Sequence, residues 1–185
     1  MLDKQYAQWN KWLVGYGCWP FEKITVEMVG VAVRNKNLLD WSDESLGPIY
    51  TELDSDGVPK CPDVCNKHLD VETPSDTSAC KGKPFDMTFW PTLGLGGGTG
   101  TDWGQRVDEA SLLATLDSDT SVIVGHEIGH GFGIPDFYEE VDKPRPDMAK
   151  MIMEAGASMS VTEADGWLVR RGWEYKRKLF PSTRG

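Results

Sequence analysis

The sequence predicts an α+β fold in one domain, residues 1–185: a twisted mixed sheet from the first two-thirds of the chain, backed by an opening helix and a motif-bearing helix, with a last helix at the C-terminal side. Three observations predict it. Apolar residues recur at helical spacing near both ends, β-branched and aliphatic residues alternate between Lys23 and Arg34, and 185 residues suit one hydrophobic core better than two.

The opening helix follows from Leu2, Tyr6, Trp9, Trp12 and Leu13, a rhythm that breaks at Gly15 and Gly17. Ile24, Val26, Met28, Val31 and Val33 then predict a central strand, with a slip at Gly30 that marks a bulge. Ile49 to Leu53 and Phe85 to Trp90 are further strand candidates, and a cysteine-rich loop lies between them. Asp54-Ser55-Asp56-Gly57 reads as a turn rather than a calcium loop, because the later calcium ligands are missing. The run Gly94 to Gly100 fails the spacing of nucleotide-binding glycine motifs, which leaves a flexible loop or a close backbone approach beside a cleft. Asp117 or Asp119 offers an N-cap for a helix starting near Thr120 and stopping at Gly133 or before Pro135. The last helix runs from Val161 to Leu179, with Thr162 as N-cap and Glu163 and Asp165 as first-turn acids suited to the helix dipole.

A formal net charge of −10 and a pI near 4.7 disfavour nucleic acid, whose phosphates would be repelled. The basic stretch Arg170 to Lys178 reads as a solvated helix face, and no apolar run is long enough to cross a membrane. Cys18, Cys61, Cys65 and Cys80 form an even set that suggests two disulfides of undetermined connectivity and hence an oxidising compartment. The competing reading is a structural zinc on Cys61, Cys65, His68 and Cys80. The chain opens without an apolar signal stretch, so export implies a signal already removed. Most tryptophans, among them Trp41, Trp90, Trp103, Trp167 and Trp173, are expected in core packing, with a carbohydrate platform as the alternative.

The chemistry lies in His126-Glu127-Ile128-Gly129-His130, an H-E-x-x-H. Residues four apart share a helix face, so both imidazoles can meet one Zn2+ ion, while Glu127 stands beside the metal as general base for its water. The third ligand must come from beyond the helix. Gly133 permits a left-handed exit and Pro135 blocks continuation, so Asp136 can turn back toward the metal. Glu154 and Glu163 are the rival third ligands, disfavoured because such a ligand needs its helix to begin before it, whereas Glu154 sits in a Met/Ala/Gly/Ser segment and Glu163 falls at a helix start.

This H-E-x-x-H-x-x-G-x-x-D resembles the motif of the metzincin peptidases, and Pro135 to Tyr138 is most similar to the snapalysin-like members. The resemblance implies a metzincin-like zincin fold and a methionine turn at Met151 to Gly156 with Met153 beneath the metal. It also implies a tyrosine near the site. Ala155 stands where many metzincins carry it, which leaves Tyr138 for that role. From Trp12 to Lys178 the chain is also similar to secreted fungal proteins often joined to a cellulose-binding module.

The function expected is therefore that of a secreted, monomeric zinc endopeptidase acting on polypeptide. The alternatives are a catalytically silent zinc module that binds cell-wall carbohydrate or glycoprotein, and a latent enzyme whose cleft is blocked, with Cys18 available for that only outside a disulfide.

Overall fold

The computed structural model describes residues 1–69, 74–148 and 150–179. Its first element is helix α1, Leu2–Asn10, whose Gln5 and Trp9 are fully buried. The helix ends at Asn10, short of the expected Val14, and the chain continues in turns to Gly15, where φ is +72°. Trp9 shows why the face is fixed. Its ring stacks on Phe132 at 5.8 Å, and its Nε1 donates to the carbonyl of Gly125 at 2.8 Å, so the one polar atom of a large buried side chain is satisfied.

Two compact units form, one from residues 1–25 with the chain from 89 onward, the other from residues 26–88. In the second, β1 (Val31–Ala32) pairs in parallel with β2 (Ile49–Tyr50), and β3 (Glu52–Leu53) pairs antiparallel with β4 (Pro59–Lys60). The β3–β4 connection is the expected turn: Gly57 has φ +77°, and Asp54 Oδ1 accepts from the amides of Asp56 and Val58. Cys65 and Cys80 form a disulfide.

The first unit holds a three-stranded sheet of β5 (Thr88–Thr92), β6 (Gly98–Thr101) and β7 (Gly104–Asp108), in the order β5-β7-β6. β6 is an edge strand, antiparallel to β7 through the register Gly98↔Val107 to Thr101↔Gly104. Asp108 caps α2 (Glu109–Ala114) through the amide of Ser111 and holds Gly96 N through its other oxygen. Helix α3, Val122–Gly131, lies against β6, β7 and α1, and α4, Glu163–Leu179, follows the methionine segment. The core of this unit gathers Trp9, Leu13, Val107, Ile128, Met151 and Met153, each no more than 1% exposed.

The α+β class holds, but the described residues form three small sheets rather than one mixed sheet. The expected strand Lys23–Arg34 reduces to Val31–Ala32. Its alternation survives as half-buried Ile24 and Val26, yet Met28 is 58% exposed, and the boundary between the units falls inside the segment. Alternation reports which side chains are covered; a strand also needs a neighbour to bond. The cysteine expectation is likewise corrected. Cys18 and Cys61 are free, and the Cys65–Cys80 disulfide removes two ligands of the alternative structural zinc. Trp41, Trp90 and Trp103 are 37–39% exposed rather than core residues. Arg106 covers the Trp90 ring at 4.5 Å, a contact that suits a half-exposed aromatic. No described helix is long and apolar enough to cross a membrane.

Candidate metal centre

Helix α3 supplies His126, Glu127 and His130, whose ligand atoms all lie within 4.8 Å of one another, a group that can hold a metal ion. The helix starts one or two residues later than expected, with Ser121 rather than an aspartate as N-cap. Buried Gln5 fixes that end, accepting from Ser121 N at 3.1 Å and donating to the carbonyl of Asp119. His126 and Glu127 are 7% and 4% exposed.

At the other end the chain reverses through a Schellman motif. Ile134 N donates to Gly129 O, Gly133 N to His130 O, and Gly133 takes φ +80°. The reversal has two chemical consequences. It brings the carbonyl of Ile134 to 2.8 Å from Nδ1 of His130, and it returns Asp136 to the helix, with Oδ1 at 2.9 Å from His126 Nε2 and 3.6 Å from His130 Nε2. The other imidazole is oriented in the same way, its Nδ1 lying 2.8 Å from the carbonyl of Ile152. A carbonyl can only accept, so each Nδ1 carries a proton and Nε2 is the ring atom that can coordinate a metal.

Four groups therefore converge: Nε2 of each imidazole, the Asp136 carboxylate, and Glu127 Oε2 at 3.8 Å from His130 Nε2. Two carboxylates in one cluster favour a positive charge among them, which a metal ion supplies. Ligand atoms around a tetrahedral metal sit about 3.4 Å apart for bonds of ~2.0–2.1 Å, close to the spacings here. These residues fit a metal ion. Burial pushes the Glu127 carboxyl up to about 7; His126 opposes the shift and the negative charge of Asp136 adds to it.

Two surfaces enclose the group. Below, Met153 is fully buried and its amide carbonyl accepts from Phe137 N at 3.0 Å. A Cβ on Gly129 would lie 2.3 Å from the Met153 sulfur and 2.7 Å from Trp9, so glycine is what lets the methionine turn and α1 meet the helix. Above, β6 crosses α3 at contact distance. A Cβ on Gly98 would lie 2.1 Å from Glu127 Oε1, and one on Gly100 would lie 2.5 Å from the backbone oxygen of Glu127. The glycine run is thus the close approach that the sequence suggested. Tyr138 lies nearly parallel to the His126 ring at 6.3 Å. Burial, then its hydrogen bond to Asp136, pushes its phenol up to about 12.

The structure thus gathers every sequence-predicted site residue: His126, Glu127, His130 and Asp136 in one cluster, with Met153 packed against its helix. Glu154 is instead paired with Lys143 at 3.1 Å, and Glu163 opens α4. Sequence reasoning missed Gln5, Ile152 and Asp165. Gln5 and Ile152 act through a buried amide and a backbone carbonyl that no motif marks. Asp165 was legible only as a first-turn acid, whereas it is fully buried and accepts from the amides of Ile152 and Met153. Compared with models of protein families, with characterised proteins and with solved structures, the chain matches none.

Proposed function

We propose that the chain is a secreted zinc-dependent endopeptidase of the metzincin kind, with His126, His130 and Asp136 as metal ligands and Glu127 as general base. The observation that carries this reading is the convergence of two Nε2 atoms and the Asp136 carboxylate next to a buried glutamate, all beneath the edge strand β6. A bound zinc supplies a Lewis acid and lowers the pKa of a coordinated water toward neutrality.

The protein's own residues do the rest. Glu127, buried beside the imidazoles, takes a proton from the attacking water and returns it to the leaving amine. Ile152 and Ile134 hold the imidazoles in one tautomer while charge builds. β6 offers the free side of its backbone to an extended polypeptide, which would dock by strand addition. Gly98 and Gly100 keep side chains out of the space beside Glu127. Tyr138, whose ring lies nearly parallel to that of His126 at 6.3 Å, brings a hydroxyl to the site that would steady developing negative charge.

A second reading, a silent zinc module that binds cell-wall carbohydrate, is favoured by Trp103, whose half-exposed ring lies in the same unit as the metal centre. One experiment separates the two: hydrolysis of a denatured-protein mixture by the purified chain and by Glu127→Ala, each with zinc measured by elemental analysis. One zinc per chain in both, with cleavage by the parent alone, supports the peptidase. Zinc in both with cleavage by neither supports the silent module, and a parent without zinc sinks both readings.

A further inference from the structure

We propose that Asp165 is a positioning residue for the metal centre, acting on His126 through the peptide that joins Ile152 to Met153; this rests on the metal-site reading above. Asp165 lies in the first turn of α4 and is fully buried. Its Oδ2 accepts from Thr162 N at 2.7 Å, from Thr162 Oγ1 at 2.7 Å and from Ile152 N at 3.0 Å, and its Oδ1 faces Met153 N at 3.4 Å.

An acid that only complements a helix dipole gains by staying in water. Burying a carboxylate is costly unless donors surround it, and here two of the donors belong to the methionine turn rather than to α4. The contact also continues. The peptide joining Ile152 to Met153 gives its N–H, that of Met153, to Asp165 Oδ1 at 3.4 Å and its carbonyl, that of Ile152, to His126 Nδ1 at 2.8 Å, so carboxylate, peptide and imidazole form one chain of hydrogen bonds, and the bond from Ile152 N to Oδ2 at 3.0 Å holds the carboxylate in place behind it. Such chains polarise cooperatively, and the carbonyl that orients His126 is made a stronger acceptor by the charge behind it. Asp165 thereby fixes the ring rotation and tautomer that point Nε2 at Asp136. The same two amide bonds hold Met153 under Gly129.

The test is zinc affinity, measured by competition with a chromophoric chelator, in the parent chain, Asp165→Asn and Val169→Ala, with thermal unfolding of each metal-free protein. Val169 is a buried residue of the same helix and serves as the comparator for stability loss alone. Asp165→Asn is expected to bind zinc about tenfold to a hundredfold more weakly, the usual weight of a residue behind a metal ligand. Val169→Ala is expected to lose stability with its affinity unchanged. In 15N spectra of the metal-free proteins, His126 should show one tautomer in the parent and a mixture in Asp165→Asn. A folded Asp165→Asn with parental affinity and a single tautomer overturns the proposal while the metal site stands; a parent that binds no zinc overturns both. If Asp165→Asn does not fold, Thr162→Val carries the test, since it keeps the carboxylate but removes the hydroxyl that orients Oδ2. A loss of about fivefold, the weight of one ordinary hydrogen bond, is expected there, and no loss overturns the proposal.

Discussion

Nε2 of His126 and Oδ1 of Asp136 face each other across 2.9 Å while Nδ1 of the same ring is held by the Ile152 carbonyl on the far side. A cation bound by both atoms gains from each of them, so a metal ion should stabilise the fold. Zinc at a thousandfold excess over its dissociation constant should add about 4 kcal/mol, read as a rise in melting temperature over the chelated protein. Asp136→Ala should lose most of that rise. Equal rises in parent and variant would remove Asp136 from the ligand set.

Glu127 sets a pH dependence of opposite sign to the usual carboxylate. Its carboxyl is raised from 4.5 to about 7, so between those values the folded chain keeps a proton that the unfolded chain has lost. Stability of the metal-free protein therefore falls as pH rises through that window, by about 3 kcal/mol at most. Asp136, His126 and His130 face the same group and are unchanged in Glu127→Gln, which should melt above the parent at pH 8 and match it near pH 4. Melting curves in chelator across that range check the sign, and a constant difference would be the wrong result.

Gly100 has no room for a methyl group. Alanine there would place a Cβ 2.7 Å from His130 Cδ2 and 2.5 Å from a backbone oxygen, which no rotamer change relieves. Gly100→Ala should cost about 1–3 kcal/mol in denaturant unfolding and weaken metal binding by displacing α3. Alanine at Gly97, where a Cβ meets nothing within 4 Å, is the matched control.

Trp9 carries the packing of α1 against the site helix. Trp9→Ala should destabilise the protein by about 3–5 kcal/mol. Trp9→Phe keeps most of the apolar volume but removes the bond from Nε1 to the Gly125 carbonyl, and should cost about 0.5–1.5 kcal/mol for that bond. Urea titration ranks the two, and equal costs would mean that the hydrogen bond outweighs the volume.

Gly133 is the exit from α3. Its φ of +80° strains any residue with a Cβ, and the nearest side chain, Lys176, is flexible. Gly133→Asn should cost less than Gly133→Ala, because asparagine tolerates the left-handed region, and metal affinity should follow the same order. An alanine variant as tight as the parent would detach Asp136's placement from the turn.

The sequence by itself determined what is local. Helical spacing put His126 and His130 on one face, Gly133 and Pro135 ended that helix, Asp136 followed at the right distance, and Asp54 to Gly57 made its turn. Each depends on residues within a few positions of one another, and short-range sterics and hydrogen bonds settle it. Tertiary structure decided the partners: which cysteines bond, whether Lys23 to Arg34 finds a strand to pair with, why the glycine run must be bare, and which tryptophans stay wet. It also decided the support of the site, in which Gln5, Ile152 and Asp165 act through buried hydrogen bonds across 12 to 116 positions of sequence. Such groups carry no pattern of their own. Their role exists only once burial has removed water as the alternative partner, and burial is a property of the folded chain.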